Sequence, residues 1–170
     1  MIPALGDGVI VLRRWELSDA PVLVAAWNDV DVAAGSVPPD DRSESAAIAW
    51  IEGTRLREEA AIAIDLVAAN HADNLAVGEV GISSIDQARG AALIGWWVSA
   101  GHRRNRVATR SVRLFADWLL DSGPLDHLLA EIDPGNVASA RVALNSGFRL
   151  LRDSDGTRPS VFIRDRGQSQ

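Results

Sequence analysis

His102-Arg103-Arg104-Asn105-Arg106-Val107-Ala108-Thr109 is the segment of this chain best equipped for chemistry, directly after the apolar run Ala92-Leu93-Ile94-Gly95-Trp96-Trp97-Val98. Arg103, Arg104 and Arg106 fall where a strand ends and a helix begins. The helix is predicted from Val112, Phe115, Ala116, Leu119 and Leu120, whose three-and-four spacing marks one buried face. A helix N-terminus offers unpaired backbone N–H groups and a partial positive charge. Guanidinium groups beside it fork onto phosphate oxygens, so the segment suits a pyrophosphate. Taken alone, three arginines in a turn describe a solvated basic loop equally well.

The elements that must position this loop follow from periodicity. Val9-Ile10-Val11-Leu12-Arg13-Arg14-Trp15 reads as a strand, and Ser18-Asp19-Ala20-Pro21 starts a helix to about Trp27. Residues 28–42, with Pro38-Pro39-Asp40-Asp41, read as irregular. A second helix is predicted from about Ser43 to Arg57. Strand-like segments at 61–67, 76–82 and 92–98, separated by polar turns, predict an antiparallel meander. The helix after the arginine loop ends near Gly123-Pro124. Residues 127–132 form a strand, 136–145 a short helix, and 148–152 and 160–164 two further strands; 165–170 is a frayed tail. The order predicts one mixed α/β domain over residues 1–170, with its core at about 9–165.

Composition narrows the chemistry. The chain has 170 residues, 47% hydrophobic and 24% charged, as ordinary globular proteins do. A net charge of −6 argues against general nucleic-acid binding. No apolar run approaches the roughly 20 residues that span a bilayer, and residues 1–7 carry no secretory signal pattern. A cytoplasmic protein with no membrane partner is expected. Without cysteine there is neither a thiolate metal site nor a cysteine nucleophile. Lysine is also absent, which removes Schiff-base mechanisms. His71, His102 and His127 are not spaced as metal ligands, so no metal is expected.

Three blocks resemble the GCN5-related N-acetyltransferase (GNAT) superfamily, in particular its ribosomal-protein N-terminal acetyltransferase branch. They are Leu12-Arg13-Arg14-Trp15 through Asp19-Ala20 and Trp27; Ile94-Gly95-Trp96-Trp97-Val98-Ser99 with Arg103 to Thr109; and Asp133-Pro134-Gly135-Asn136-Val137-Ala138-Ser139 with Asn145-Ser146-Gly147-Phe148. The last block is the most specific. The resemblance implies a mostly antiparallel central sheet, splayed between its fourth and fifth strands and flanked by about four helices. It implies an acyltransferase that moves an acetyl group from acetyl-CoA directly to a primary amine: a protein N-terminus, an amino sugar or a small amine. A homodimer is compatible with it.

The resemblance also distributes roles. Backbone groups of Trp97, Val98 and Ser99 would pair with pantetheine as a peptide pairs with a sheet edge. The Val98 N–H would polarise the acetyl carbonyl. Arg103, Arg104, Asn105, Arg106, Val107, Ala108 and Thr109 would hold the pyrophosphate, and Asn136 the pantetheine arm. Ser139 would donate to the departing thiolate, or bond Asn136 and nearby backbone as a capping-type residue.

Three departures from the family pattern stand out. Arg106 occupies the loop's central glycine position, where glycine permits close phosphate approach or an unusual φ. With a helical φ the arginine is tolerated and adds charge, whereas a backbone that must touch the pyrophosphate would bind it less well. There is no tyrosine to act as acid, and Leu93 stands where relatives often carry glutamate. Glu79, Glu131 and Asp133 remain as candidate bases, with a water relay as the alternative. These departures favour a rival reading, an acyl-CoA-binding regulatory domain without catalysis. Trp96 and Trp97, adjacent on one strand, must face opposite sides of the sheet. Asp29, Asp31, Asp40 and Asp41 either attract a cationic acceptor or belong to an exposed polar loop.

Overall fold

The computed structural model describes residues 2–167. Eight strands form one sheet in the order β1-β2-β3-β4-β5-β6-β8-β7: β1 (Leu5–Gly6), β2 (Ile10–Arg13), β3 (Ala63–Asn70), β4 (Ala76–Asp86), β5 (Ala91–Val98), β6 (His127–Ile132), β7 (Arg149–Arg152) and β8 (Ser160–Asp165). Five α-helices flank it: α1 (Ala20–Asn28), α2 (Val30–Ala34), α3 (Glu44–Glu59), α4 (Val107–Asp121) and α5 (Val137–Asn145). The two-residue β1 and the five-residue α2 were not expected from the sequence. The tail predicted at 165–170 begins later, because Asp165 closes β8, and residues 168–170 lie outside the described ones.

One pairing in the sheet is parallel. β5 and β6 join at Ala91↔His127, Ala92↔Leu128 and Leu93↔Leu129, then separate, whereas every other neighbouring pair is antiparallel. Beyond Leu93 the far edge of β5 therefore faces a gap, as the expected splay requires. The connection between the two strands is α4, as parallel neighbours demand a long crossover.

Strand alternation sorts side chains between two cores. Ile94, Val80, Leu128 and Phe162 pack with Val112, Phe115, Leu119 and Leu120 of α4. On the opposite face Trp15, Leu23, Trp27, Ala47, Ile51 and Val67 form the second core beneath α1 and α3. Trp96 joins the first core and Trp97 the second, the division expected of adjacent strand residues. Gly78 lets β4 and β5 close up, since a Cβ there would collide with the Trp97 carbonyl oxygen.

Candidate active site

A cavity of about 910 Å³ opens where β5 and β6 part. Arg103, Arg104, Arg106, Val107, Ala108 and Thr109 line one end, Asn136 and Ser139 of the α5 start line a side, and Trp96, Trp97 and Val98 form its back. Glu131 and Asp133 line it as well. There it adjoins a recess of about 300 Å³ bounded by Gly35, Ser83, Leu93, Gly95, Glu131 and Asp133.

The register of β5 decides which backbone groups face the slot. Ser99 N–H donates to Val77 O at 2.9 Å, towards β4. Along a strand, successive peptide groups point to alternate edges. Trp97 and Ser99 therefore turn their backbone to β4, and Trp96 and Val98 turn theirs to the slot. Of the three residues expected to pair with pantetheine, Val98 has the fitting orientation; the Ser99 N–H is already spent.

The arginine loop is conformationally unusual. Arg104 has φ +64° and Arg106 φ +60°, both left-handed. Arg106 is the N-cap of α4, and no side chain caps that helix. An uncapped helix start, preceded by residues alternating into the left-handed region, aims several N–H groups into one concavity and favours an anion. This geometry answers the question raised by the missing glycine: the backbone keeps the left-handed turn and bears the cost of a Cβ, of order 1–2 kcal/mol.

Arg103 is placed differently from its neighbours. Its Nη2 meets Asp29 and its Nη1 meets Asp31, each at 2.6 Å, while Nε donates to Val98 O at 3.1 Å. The pair holds the Asp29 carboxyl below its usual range, through the hydrogen bond from Arg103 first. These aspartates lie more than seventy positions upstream, and no spacing rule links them to the loop. Asp29 also caps α2, accepting from Asp31 N–H at 2.9 Å and Val32 N–H at 3.4 Å.

Asn136 is the N-cap of α5. Its Oδ1 accepts from the Ser139 N–H at 3.0 Å, leaving the amide NH₂ as the group it can offer a ligand. Ser139 is half-buried, and it is its backbone, not its hydroxyl, that bonds Asn136. Ser146 Oγ donates to Thr109 O at 3.3 Å and Arg113 Nη2 to Asn145 O at 2.6 Å, so α5 is fastened to α4. Gly147, at φ +85°, turns the chain into Phe148, which is buried in the core.

The candidate bases separate. Glu131 and Asp133 line the slot and are exposed to it. Glu79 is not among the lining residues. It lies on the Trp97 side of the sheet, with Oε2 buried and, among the described residues, without a hydrogen-bond partner; the Trp15 Nε1–H is orphaned in the same way. Burial, and next the nearby Asp65 carboxylate, push the Glu79 carboxyl up to about 8, while neighbouring Trp97, Trp15 and Arg57 offset only part of this. Trp15 lies 5.7 Å from Trp50 and 6.2 Å from Trp97, centroid to centroid, and closes this pocket of aromatics. His102, the first residue of the segment read from sequence, also lines the slot, as does Arg141, which was not singled out there; Arg141 follows two residues after Ser139 in α5 and could have been found by projecting that helix. Among the described residues, no group of three or more histidine or acidic side chains could hold a metal ion, and no helix is long and apolar enough to cross a membrane.

Residues 10–149 match the family model described as an acetyltransferase (GNAT) domain. The chain is 28% identical over 149 residues to the "Uncharacterized N-acetyltransferase p20" of Bacillus licheniformis, covering 85% of this chain and 83% of that protein. Among solved structures it resembles the Microcin C7 self-immunity acetyltransferase MccE in complex with acetyl-CoA and AMP, at a TM-score of 0.80 and 20% identity over 94% of this chain and 93% of that one. It also resembles Mycobacterium smegmatis RimJ in complex with CoA-disulfide, at a TM-score of 0.78 and 20% identity, covering 93% and 82% of the two chains.

Proposed function

The chain belongs to the acetyltransferase (GNAT) family, and from that premise we propose that it transfers an acetyl group from acetyl-CoA directly to a primary amine. The observation that carries the reading is the slot between β5 and β6, lined by an uncapped, arginine-flanked helix start and adjoining a carboxylate-lined recess. A pyrophosphate fits the helix start because the α4 amides lack protein partners by helix geometry and Arg104 and Arg106 add charge. MccE, with the same fold, holds acetyl-CoA, which supports the same ligand here.

Each residue then has a task. The Val98 N–H, facing the slot, donates to the acetyl carbonyl oxygen as negative charge gathers there. Glu131 removes a proton from the acceptor's ammonium, directly or through one water, so that the nitrogen lone pair can attack the carbonyl carbon. The C–N bond forms as the C–S bond breaks, and the sulfur carries away the electron pair. Ser139 Oγ–H donates to that sulfur. We assign the base to Glu131 rather than Glu79 because Glu131 lines the slot, whereas Glu79 does not and has its Oε2 buried beside Trp97 on β4. The acceptor is a protein N-terminus, an amino sugar or a small amine. Action in the cytoplasm and pairing as a homodimer belong to the same reading.

Calorimetry with acetyl-CoA and desulfo-CoA, followed by thiol-release assays against a panel of peptides, amino sugars and diamines, tests it. Micromolar binding of both ligands and turnover of at least one amine are expected. Binding without turnover across the panel would favour the non-catalytic acyl-CoA-binding domain, the reading that Arg106 and Leu93 suggest. No binding at millimolar ligand would end both.

A further inference from the structure

Three groups on Arg103 are engaged at once, and all of them tie protein to protein. Nε holds the carbonyl of Val98, the last residue of β5; Nη2 holds Asp29, the cap of α2; Nη1 holds Asp31 in the first turn of α2. The Arg103 and Asp29 side chains are only 30% and 16% exposed, so that pair is partly screened from solvent, while Asp31 is 74% exposed. A fork of this kind is geometrically selective in a way that a single ammonium is not.

The helix it holds is short and packs chiefly against α1. α2 is five residues long, far below the length at which a helix sustains itself in water. Val32 is its only buried residue, and Val30 is 78% exposed. Yet Asp31, Val32, Ala34, Gly35 and Ser36 form one wall of the slot, and Gly35 borders the carboxylate recess as well. A wall with one buried anchor needs a second attachment, and Arg103 supplies it from the end of the strand whose Val98 N–H faces the acetyl position.

We infer that Arg103 is a positioning residue for the acceptor wall: it fastens α2 to the end of β5 and leaves the cofactor's phosphates to Arg104, Arg106 and the α4 amides. This inference rests on the acyl-transfer reading for what the wall does, but not for whether Arg103 holds it. Loss of the fork frees residues 29–36, opens the recess, and weakens the amine's hold while leaving the cofactor's intact. Asp29→Asn separates the two duties of that residue, since asparagine still caps α2 but cannot form the ion pair.

The decisive experiment compares wild type, Arg103→Ala, Arg103→Lys and Asp29→Asn in the full chain by millisecond hydrogen exchange over residues 29–36, with CoA affinity by calorimetry. In Arg103→Ala, exchange in that segment is expected to accelerate at least fivefold while the CoA dissociation constant stays within fivefold. Asp29→Asn should move exchange in the same direction, and Arg103→Lys should fall between, since one ammonium cannot reach all three partners. With any amine that the wild type accepts, Arg103→Ala should raise the KM for the amine at least fivefold and leave the KM for acetyl-CoA within twofold. Unchanged exchange in Arg103→Ala, or CoA binding weakened beyond fivefold, overturns the inference; the latter makes Arg103 a phosphate ligand. If the wild type binds no CoA, the acyl-transfer reading fails, while exchange still reports on the fork.

Discussion

Glu79 and Trp97 stand directly opposite one another in the antiparallel ladder of β4 and β5, so a carboxylate shares its sheet face with the aromatic that backs the slot. Trp15 packs over the same face against Trp97. The nearest cation, Arg57, is occupied by Asp65 at 3.1 Å and lies 4.5 Å over the Trp50 ring. An ionised Glu79 has no countercharge of its own there, and its carboxyl is pushed up to about 8 from 4.5.

That placement makes stability depend on pH. Below 4.5 the group is protonated in both folded and unfolded chains and contributes no difference. Between 4.5 and about 8 the unfolded chain releases the proton and the folded chain keeps it, so stability falls as pH rises. Above about 8 the loss is complete. The slope can reach about 1.4 kcal/mol per pH unit, a few kcal/mol in all. Glu79→Gln should remove this slope, being more stable than wild type at pH 8 and little different at pH 4. Urea unfolding at both pH values checks it; parallel slopes for the two proteins would show that Glu79 ionises freely.

Arg106 gives a test of backbone strain. Its φ of +60° and ψ of 15° suit glycine, and a Cβ there costs of order 1 kcal/mol. Arg106→Gly should therefore raise the thermal midpoint, and Arg106→Val, β-branched at the same angles, should lower it further below wild type. CoA affinity should change little in Arg106→Gly, since a lost charge is set against closer approach to the amides. A valine variant as stable as the glycine one would mean that the loop relaxes out of the left-handed turn.

The signals that were legible in the sequence were those carried by local pattern. The apolar stripe of α4, the alternating β5 and the Asn136-to-Phe148 block each announce an element and its neighbour in the chain, and the parallel crossover follows from a helix between two strands. What escaped depends on distance in sequence. α2 hides in a polar, proline-containing stretch because a five-residue helix has no period to detect, and its Asp29 cap is paired with an arginine 74 positions away. Alternation assigns Glu79 to one face of β4 but cannot say that Trp15 and Trp97 lie beside it there. The same alternation, applied to β5, would have separated Val98 from Ser99 had the register with β4 been known.

Asn136 carries two duties that substitution can part. Its Oδ1 caps α5 through the Ser139 N–H, and its amide faces the slot. Asn136→Ala should cost about 1 kcal/mol of stability through the lost cap and also weaken CoA binding. Asn136→Asp keeps the cap but replaces the donor with a carboxylate, so its midpoint should match wild type while its CoA affinity falls at least as far as alanine's. Calorimetry and thermal unfolding on the two variants decide; wild-type affinity in Asn136→Asp would confine Asn136 to holding α5 in place.

Glu131 is the sharpest test of catalysis. It projects from β6 just past the last pairing with β5, on the recess side of the gap, where an ammonium would approach the Val98 N–H. Glu131→Gln keeps the size and polarity of the side chain and removes its capacity to take a proton. A positioned base contributes typically 10²–10⁴-fold, so turnover of the accepted amine should fall by about 10² or more, with CoA affinity and thermal midpoint unchanged. Raising the pH should recover part of the loss, because a larger share of the free amine then arrives already deprotonated. Full activity in Glu131→Gln at neutral pH would pass the proton to a water relay and leave Glu131 as a wall of the recess alone.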